Sequence, residues 1–465
     1  MRKAEWMVFL PLLLVGCAPR DGGFSGVRSS VNDRMAFDVR WHRLDEGKSA
    51  PPDEVQALLE EPMTAESAVQ VALLNNRDLQ ARFEDLGVAS AKLLAARPEN
   101  PMAELEILPG EQDAPAVEIT VMQSLTSFLH AARRRSVAHS EMEATKLEIA
   151  GAVMDLGLNV RKAFFAHQAA QQLSKLRYRI ATSLAASYDM ARRLHHAGNI
   201  TDLALDTEHA MFEEAKLAVS QAQAHENDTR EALNALLGLW GPDTAWRVET
   251  RMPDPEAEET NAKVLESTAV TASLDLAQLR QSIDAEAKRV GLARTEGWLP
   301  EVEVGVKTAR EDTAFQVGPV LGITLPLFDQ GQAQVAAARS RLRRLRERYA
   351  ATAVRIRSAV RATHTRLRAT QDRALHYKQV VLPLREKVVD GTQLNYNAMQ
   401  TGLFELLQAR QLQIDAGARY IETLTDYWFA RTDLDQLRAG RMIDAGGARP
   451  NPGEQRGPAR AEKKH

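Results

Sequence analysis

Two stretches, residues 130–196 and 332–399, place apolar side chains at steps of three and four for far longer than a globular helix runs. In the second stretch Leu342, Leu345, Tyr349, Ala353, Ile356, Val360 and Leu367 mark the seam. A repeat of this period belongs to a coiled coil, whose partner helix covers the seam continuously. At the rise of an α-helix each stretch would extend about 100 Å. Pro383 lacks a backbone donor and is expected to kink the second helix. Shorter periodic stretches predict helices over 78–97, 201–238, 275–298 and 404–440. One helix of the short kind and one of the medium kind nearly equal a long one, so each short–medium pair can lie end to end beside a long helix.

Between the short and long helices the period changes from near 3.6 to 2. Glu301-Val302-Glu303-Val304-Gly305-Val306 alternates, and Gly318 to Leu325 does so in part. Ala103 to Leu108 and Ala116 to Leu125 are the matching candidates upstream. Polar–apolar alternation over about ten residues is the signature of a strand with one face toward lipid and one toward water. It also suits a small soluble hairpin on a helical stalk. Two hairpins cannot close a barrel, so a barrel reading requires several chains.

The elements recur in the same order on either side of an acidic, proline-containing linker at 250–262. Asp78-Leu79 corresponds to Asp275-Leu276, Gln123-Ser124-Leu125 to Leu325-Pro326-Leu327, and the helix break at Ala197-Gly198 to the break at Ala398-Met399. The offset stays near ~200 residues throughout, so the chain reads as one unit used twice. The first repeat is assigned to 61–249 and the second to 263–440.

Composition agrees with long helices. Ala, Leu, Arg, Gln and Glu dominate, and aromatics are 5%. Lys and Arg number 59 against 62 for Asp and Glu, and no aromatics interleave the arginine runs, so a nucleic-acid partner is not expected. No segment after the amino terminus reaches the roughly 20 apolar residues of a membrane helix, so any crossing must use a closed β-barrel. The amino terminus reads as a leader. Arg2 and Lys3 precede an apolar run from Trp6 to Val15, and Leu14-Val15-Gly16-Cys17 fits a lipoprotein cleavage box that makes Cys17 the acylated first residue. Ala18 in the next position favours the outer membrane. Residues 18–60 are rich in Gly, Ser, Pro and charge and read as a tether, and 441–465 as a disordered tail. No phosphate loop, metal-ligand cluster or catalytic triad is found, so neither an enzyme nor a cofactor is expected.

In this arrangement the chain resembles the TolC family of outer-membrane efflux proteins. The resemblance rests on Met63 to Ala68 through Leu79, on Leu299-Pro300 before a strand, and on Leu325 to Gly331 after the last strand. Tyr396 to Leu407 and Asp426-Tyr427-Trp428 complete it. It implies a mainly α fold with a membrane β part. A long α-helical barrel of coiled-coil helices is topped by a β-barrel shared between three chains. It implies a homotrimeric exit duct in the outer membrane, serving a tripartite efflux or type I secretion system with a periplasmic adaptor and an inner-membrane pump. The Met399–Leu407 tip and Asp426-Tyr427-Trp428 look closest to family members of metal-resistance systems. The competing reading is a periplasmic coiled-coil lipoprotein scaffold, which would have no use for duplicated alternating hairpins.

The resemblance also carries residue roles. Asp202 and Glu405 match acids that ring the narrow periplasmic aperture, and Tyr396 matches a tyrosine that holds the closed state. Gly198, Asn199, Gln400 and Gly402 fall at the tips expected to meet the adaptor. The sequence departs from the family at Met399, where a glycine is expected, at Thr401, where a basic residue is common, and at Gln408, where a second acid is common. An acid in a first helical turn also simply complements the helix dipole. His195-His196 reads as a charged, solvated helix end rather than a metal site, because adjacent helical side chains diverge by about 100°. Arginines following the strands can snorkel toward lipid phosphates, and Tyr427 and Trp428 are expected to pack between helices.

Overall fold

The computed structural model describes residues 21–41, 53–108, 116–249, 251–255, 262–311 and 314–443. The leader, Cys17, and the tail beyond 443 lie outside the described residues. The chain divides into two compact units. Unit 1 takes Met1–Leu58, Gln70–Leu156 and Leu274–Ala353, and unit 2 takes Leu59–Val69, Gly157–Ser273 and Val354–His465.

Unit 1 contains α1 (Phe24–Met35), α2 (Asp53–Glu60, to Leu58), the end of α3 (Ala65–Asn75, from Gln70) and all of α4 (Arg77–Ala95). Next come β1 (Met102–Leu108), β2 (Ala116–Ser124) and α5 (Thr126–His196), whose first residues to Leu156 belong here. The second repeat adds α8 (Leu274–Trp298), β3 (Glu301–Glu311), β4 (Ala314–Thr324) and the start of α9 (Gln332–His376). The four strands form one antiparallel sheet in the order β1-β2-β3-β4. Register is continuous: Leu105 faces Ile119, Val121 faces Val306, and Val304 faces Leu321. β3 and β4 are longer than the alternation predicted, because Lys307 to Glu311 and Ala314 to Val317 keep pairing where the apolar rhythm has faded.

The tether reading of 18–60 needs correction. Phe24, Trp41 and Phe83 form an aromatic trio with centroids 5.1 to 6.4 Å apart. Trp41 Nε1 donates to Glu84 at 3.0 Å, and Gln80 donates to the Arg40 carbonyl at 3.1 Å. Val27 and Val31 of α1 are buried. Residues 21–41 are therefore docked against α4, whose N-cap Asn76 accepts from Leu79 N. At the start of the segment Asp21 caps the turn before α1, and its bonds from Ser25 and Gly23 lower its pKa to about 2. An ion pair and a hydrogen bond tie α5 to α8: Arg289, itself paired to Glu286 on α8, binds Glu141, and Ser140 Oγ donates to Asp284 beside Lys288.

Unit 2 contains the rest of α5, α6 (Asp202–Leu237), a short 3-10 turn at Gly241–Thr244, and α7 (Ala262–Ala272). It continues with the rest of α9, a π turn at Tyr377–Val381, α10 (Leu382–Asn397) and α11 (Leu403–Arg438). Of the predicted seam Ile356, Val360 and Leu367 are buried, whereas Leu342, Leu345, Tyr349 and Ala353 are half-buried; Thr363, Thr370 and Ala374 continue the buried line at steps of three and four. The π turn directly precedes Pro383, so the helix accommodates the missing donor by widening one turn. Met63 and Val248 form a parallel bridge. Arg230 lies over the Trp246 ring at 4.0 Å, and Trp246 Nε1 donates to Asn234 at 2.7 Å. The described part of the linker is packed rather than free: Met252 is buried, Trp428 donates to the Pro253 carbonyl, and Lys378 pairs with Asp254 at 2.8 Å. Tyr427 is buried and Trp428 stacks on Phe165 at 4.7 Å, as the packing reading of these aromatics requires. Among the described residues no helix is long and apolar enough to cross a membrane.

Candidate functional site

Two regions stand out, one in each unit. The first is the sheet. Pairing puts Leu105, Ile107, Val117, Ile119, Val121, Val304, Val306, Val317, Leu321 and Ile323 on one face. The other face carries Glu104, Glu106, Glu118, Thr120, Glu303 and Lys307, with Lys307 paired to Glu118. Along each strand the two sets alternate, as period 2 demands. The apolar face is exposed: Leu105, Ile107, Val317 and Leu321 are each 62–66% accessible. An uncovered apolar face of this extent is foreign to an ordinary water-soluble sheet. The outer edges of β1 and β4 have no strand partner among the described residues.

The second region is the pair of helix breaks in unit 2, and here the duplication can be followed atom by atom. After α5, Gly198 N donates to the His195 carbonyl and Asn199 N to that of Leu194. After α10, Met399 N donates to Tyr396 and Gln400 N to Asn395 in the same pattern. Both helices thus end in the same six-to-one and five-to-two closure, which needs a left-handed residue after the last turn. Gly198 supplies it with φ 73°, and Met399 with φ 57°. The expected tip residues Gly198, Asn199, Gln400 and Gly402 all fall in these two turns, with Asn199 and Gln400 equivalent.

The acids are not equivalent. In the frame of the repeat Asp202 aligns with Leu403, and Glu405 aligns with Ala204. Asp202 opens α6 behind the N-cap Thr201, whose side chain accepts from Ala204 N. Its own side chain is 90% exposed, yet Oδ1 lies 2.6 Å from His195 Nε2. At the second break Gly402 has no side chain with which to cap α11. Glu405, in the first turn, reaches back instead and accepts from Gly402 N at 2.5 Å. Its carboxylate thereby caps the first turn of its own helix. Tyr396 sits one turn before this break and is 36% exposed. The structure therefore brings His195 and Asp202 together and places Tyr396 in the position equivalent to His195.

Sequence reasoning missed the His195–Asp202 pair, although a seven-residue separation across a tight break is a usable signal. It also missed the buried pair formed by Ser187 Oγ and Glu208 Oε2 at 2.5 Å on the same hairpin. Glu208 is 1% exposed and borders a cavity of about 690 Å³ with Ile180, Met211, Phe404 and Leu407.

No protein-family model matches the chain. It is 25% identical over 384 residues to the cobalt-zinc-cadmium resistance protein CzcC of Cupriavidus metallidurans, covering 81% of this chain and 90% of that one. Its fold is similar to that of CusC, whose structures concern transmembrane channel formation, with TM-score 0.67 and 15% identity, over 88% of this chain and 98% of that one. It is also similar to the CmeC outer membrane channel of Campylobacter jejuni, with TM-score 0.68 and 16% identity, over 87% and 95%.

Proposed function

We propose that the chain is a TolC-family outer-membrane efflux protein and that three copies form the exit duct of a tripartite efflux machine. The observation that carries the proposal is the sheet with one exposed apolar face, one polar face and two edges without a strand partner among the described residues. Lipid satisfies the apolar face, and water in a lumen satisfies Glu104, Glu106 and Glu303. Edge pairing between copies removes the open strand edges, which lipid does not tolerate. A periplasmic scaffold has no use for such a face. The duct performs no covalent chemistry, since its work is passage.

Cys17, acylated, would anchor the chain to the outer membrane, and the long helices would enclose the periplasmic passage. The two breaks would form its inner end and meet a periplasmic adaptor through Gly198, Asn199, Gln400 and Gly402, with an inner-membrane pump behind. Asp202 and Glu405, repeated by threefold symmetry, would surround the aperture with carboxylates that attract cations, and Tyr396 would help to hold it closed. The relative named for cobalt, zinc and cadmium resistance supports divalent metal cations as the cargo.

Single-channel recording of the purified full chain in planar bilayers tests this. Discrete, cation-preferring conductance is expected, with the preference reduced in Asp202→Ala/Glu405→Ala. A folded, lipidated protein that never conducts would overturn the duct. Deletion of the gene is expected to lower tolerance to cobalt, zinc and cadmium; unchanged metal tolerance with reduced drug tolerance would overturn the cargo assignment.

A further inference from the structure

We infer that His195 governs how much negative charge Asp202 presents at the α5–α6 tip, and that it thereby makes the ion preference of the duct depend on pH. The inference rests on the duct reading above and adds a specificity-determining residue to it.

The geometry is specific. His195 ends α5 and Asp202 begins α6, and the break between them folds Nε2 to 2.6 Å from Oδ1. The imidazole is 33% exposed while the carboxylate is 90% exposed, so the histidine is held and the acid faces solvent. The negative end of the α5 dipole favours a cation at 195, and the positive end of the α6 dipole favours an anion at 202. A neutral imidazole leaves the pair with one negative charge, and an imidazolium leaves it with none. Imidazole is the side chain whose ordinary titration lies between about pH 5 and 8.

Of the other charged groups around the tip, Asp189, His209 and Glu405 are engaged, and His196 and Asp206 lie nearby. On α5, Asp189 takes Arg193 at 2.8 Å and Arg192 at 3.4 Å. The His196 ring lies 6.3 Å from that of His195 and is the second imidazole at the tip. On α6, Asp206 follows one turn later, and His209 pairs with Glu213 at 3.6 Å while stacking on Tyr188. On the α10–α11 hairpin, Glu405 is bound to Gly402 N. Tyr396 and Leu403 occupy the positions equivalent to His195 and Asp202, so the second hairpin has no counterpart of the pair. The pH response therefore belongs to the first hairpin alone.

Reversal potentials of the full-length protein in planar bilayers under a potassium chloride gradient test this, at about pH 5.5 and about pH 8. The potassium-to-chloride permeability ratio is expected to rise by about twofold or more with pH in the wild type and in His196→Gln. In His195→Gln it is expected to be high and flat, and in Asp202→Asn low and flat. Circular dichroism and trimer mobility verify that each variant is assembled. A conducting wild type whose ratio does not change with pH overturns this inference and leaves the duct standing. An equal rise in His195→Gln does the same. Absence of conductance overturns the duct reading and this inference with it.

Discussion

Met399 takes the left-handed backbone conformation that Gly198 takes in the other repeat, with φ 57° against 73° and the same two closing hydrogen bonds. The turn has been kept while the residue suited to it has not. A Cβ in this conformation crowds the following carbonyl and costs roughly 1–2 kcal/mol. The Met399 side chain is 95% exposed and recovers little of this by packing. Met399→Gly is therefore expected to stabilise unit 2 by about 0.5–1 kcal/mol after the extra unfolded-state entropy of glycine is offset. Gly198→Ala is expected to destabilise by about 1 kcal/mol, since a Cβ there meets nothing within 4 Å and only the backbone is strained. Chemical denaturation of the two variants checks the pair, and a destabilised Met399→Gly would show that the methionine side chain is held by a partner.

The two faces of the sheet should respond oppositely to charge. Leu321 is 63% exposed on the apolar face, opposite Val304. Leu321→Arg is expected to cost about 2–4 kcal/mol if that position lies near the bilayer midplane, and to reduce the yield of assembled protein in outer membranes. Thr120→Arg, on the polar face between Glu104 and Lys307, should assemble normally. Equal yields of the two variants would remove the lipid-facing assignment.

Much of this was legible because it is periodic. Ile356, Val360 and Leu367 announce the seam by spacing alone, and Val302, Val304 and Val306 announce a strand by alternation. The two breaks were legible because the chain repeats itself. The docking of 21–41 was not, because its trio joins Phe24 and Trp41 to Phe83, residues far apart in sequence whose meeting no local pattern encodes. The unequal acids were half legible. Asp202 and Glu405 both follow a break, but only the N-cap residues, Thr201 with a hydroxyl and Gly402 without one, decide which carboxylate must turn back to the backbone.

Inside unit 2, Asp433 is 6% exposed and lies between Lys162 and Arg366, the latter at 3.4 Å. Nearby, Arg161 bridges Glu66 at 3.4 Å and Asp435 at 3.9 Å. Removing the buried carboxylate leaves two partly solvated cations without their partner. Asp433→Ala is expected to destabilise by about 1–3 kcal/mol, whereas Asp433→Leu/Lys162→Met should recover most of that loss because the desolvation penalties of both groups disappear together. Thermal unfolding of the single and double variants separates the two cases. A double variant as unstable as the single would mean that Arg366, not Lys162, is the charge left stranded.

His167 should make unit 2 acid-sensitive. Its ring is fully buried, set edge-on to Trp246 at 5.2 Å, with Nδ1 3.2 Å from Thr229 Oγ1 and no hydrogen-bond partner for Nε2. Burial lowers its pKa below the ordinary 6.5, the charge of Arg230 lowers it further, and Glu226 opposes them. As pH falls through the ordinary histidine range the unfolded chain takes up a proton that the folded chain refuses. The folded state therefore loses stability from about pH 6.5 downward until the pH reaches the depressed native value, and is unaffected above that window. His167→Gln cannot titrate, so its melting temperature should fall less than that of the wild type between about pH 7.5 and about pH 5. Both proteins will share the acid losses of the carboxylates, including Asp254, whose pKa is lowered chiefly by its hydrogen bond from Lys378, but those fall at lower pH. Parallel melting curves for the two proteins across this range would mean that His167 gains its proton as readily in the folded chain as in the unfolded one, which its burial against Trp246 forbids.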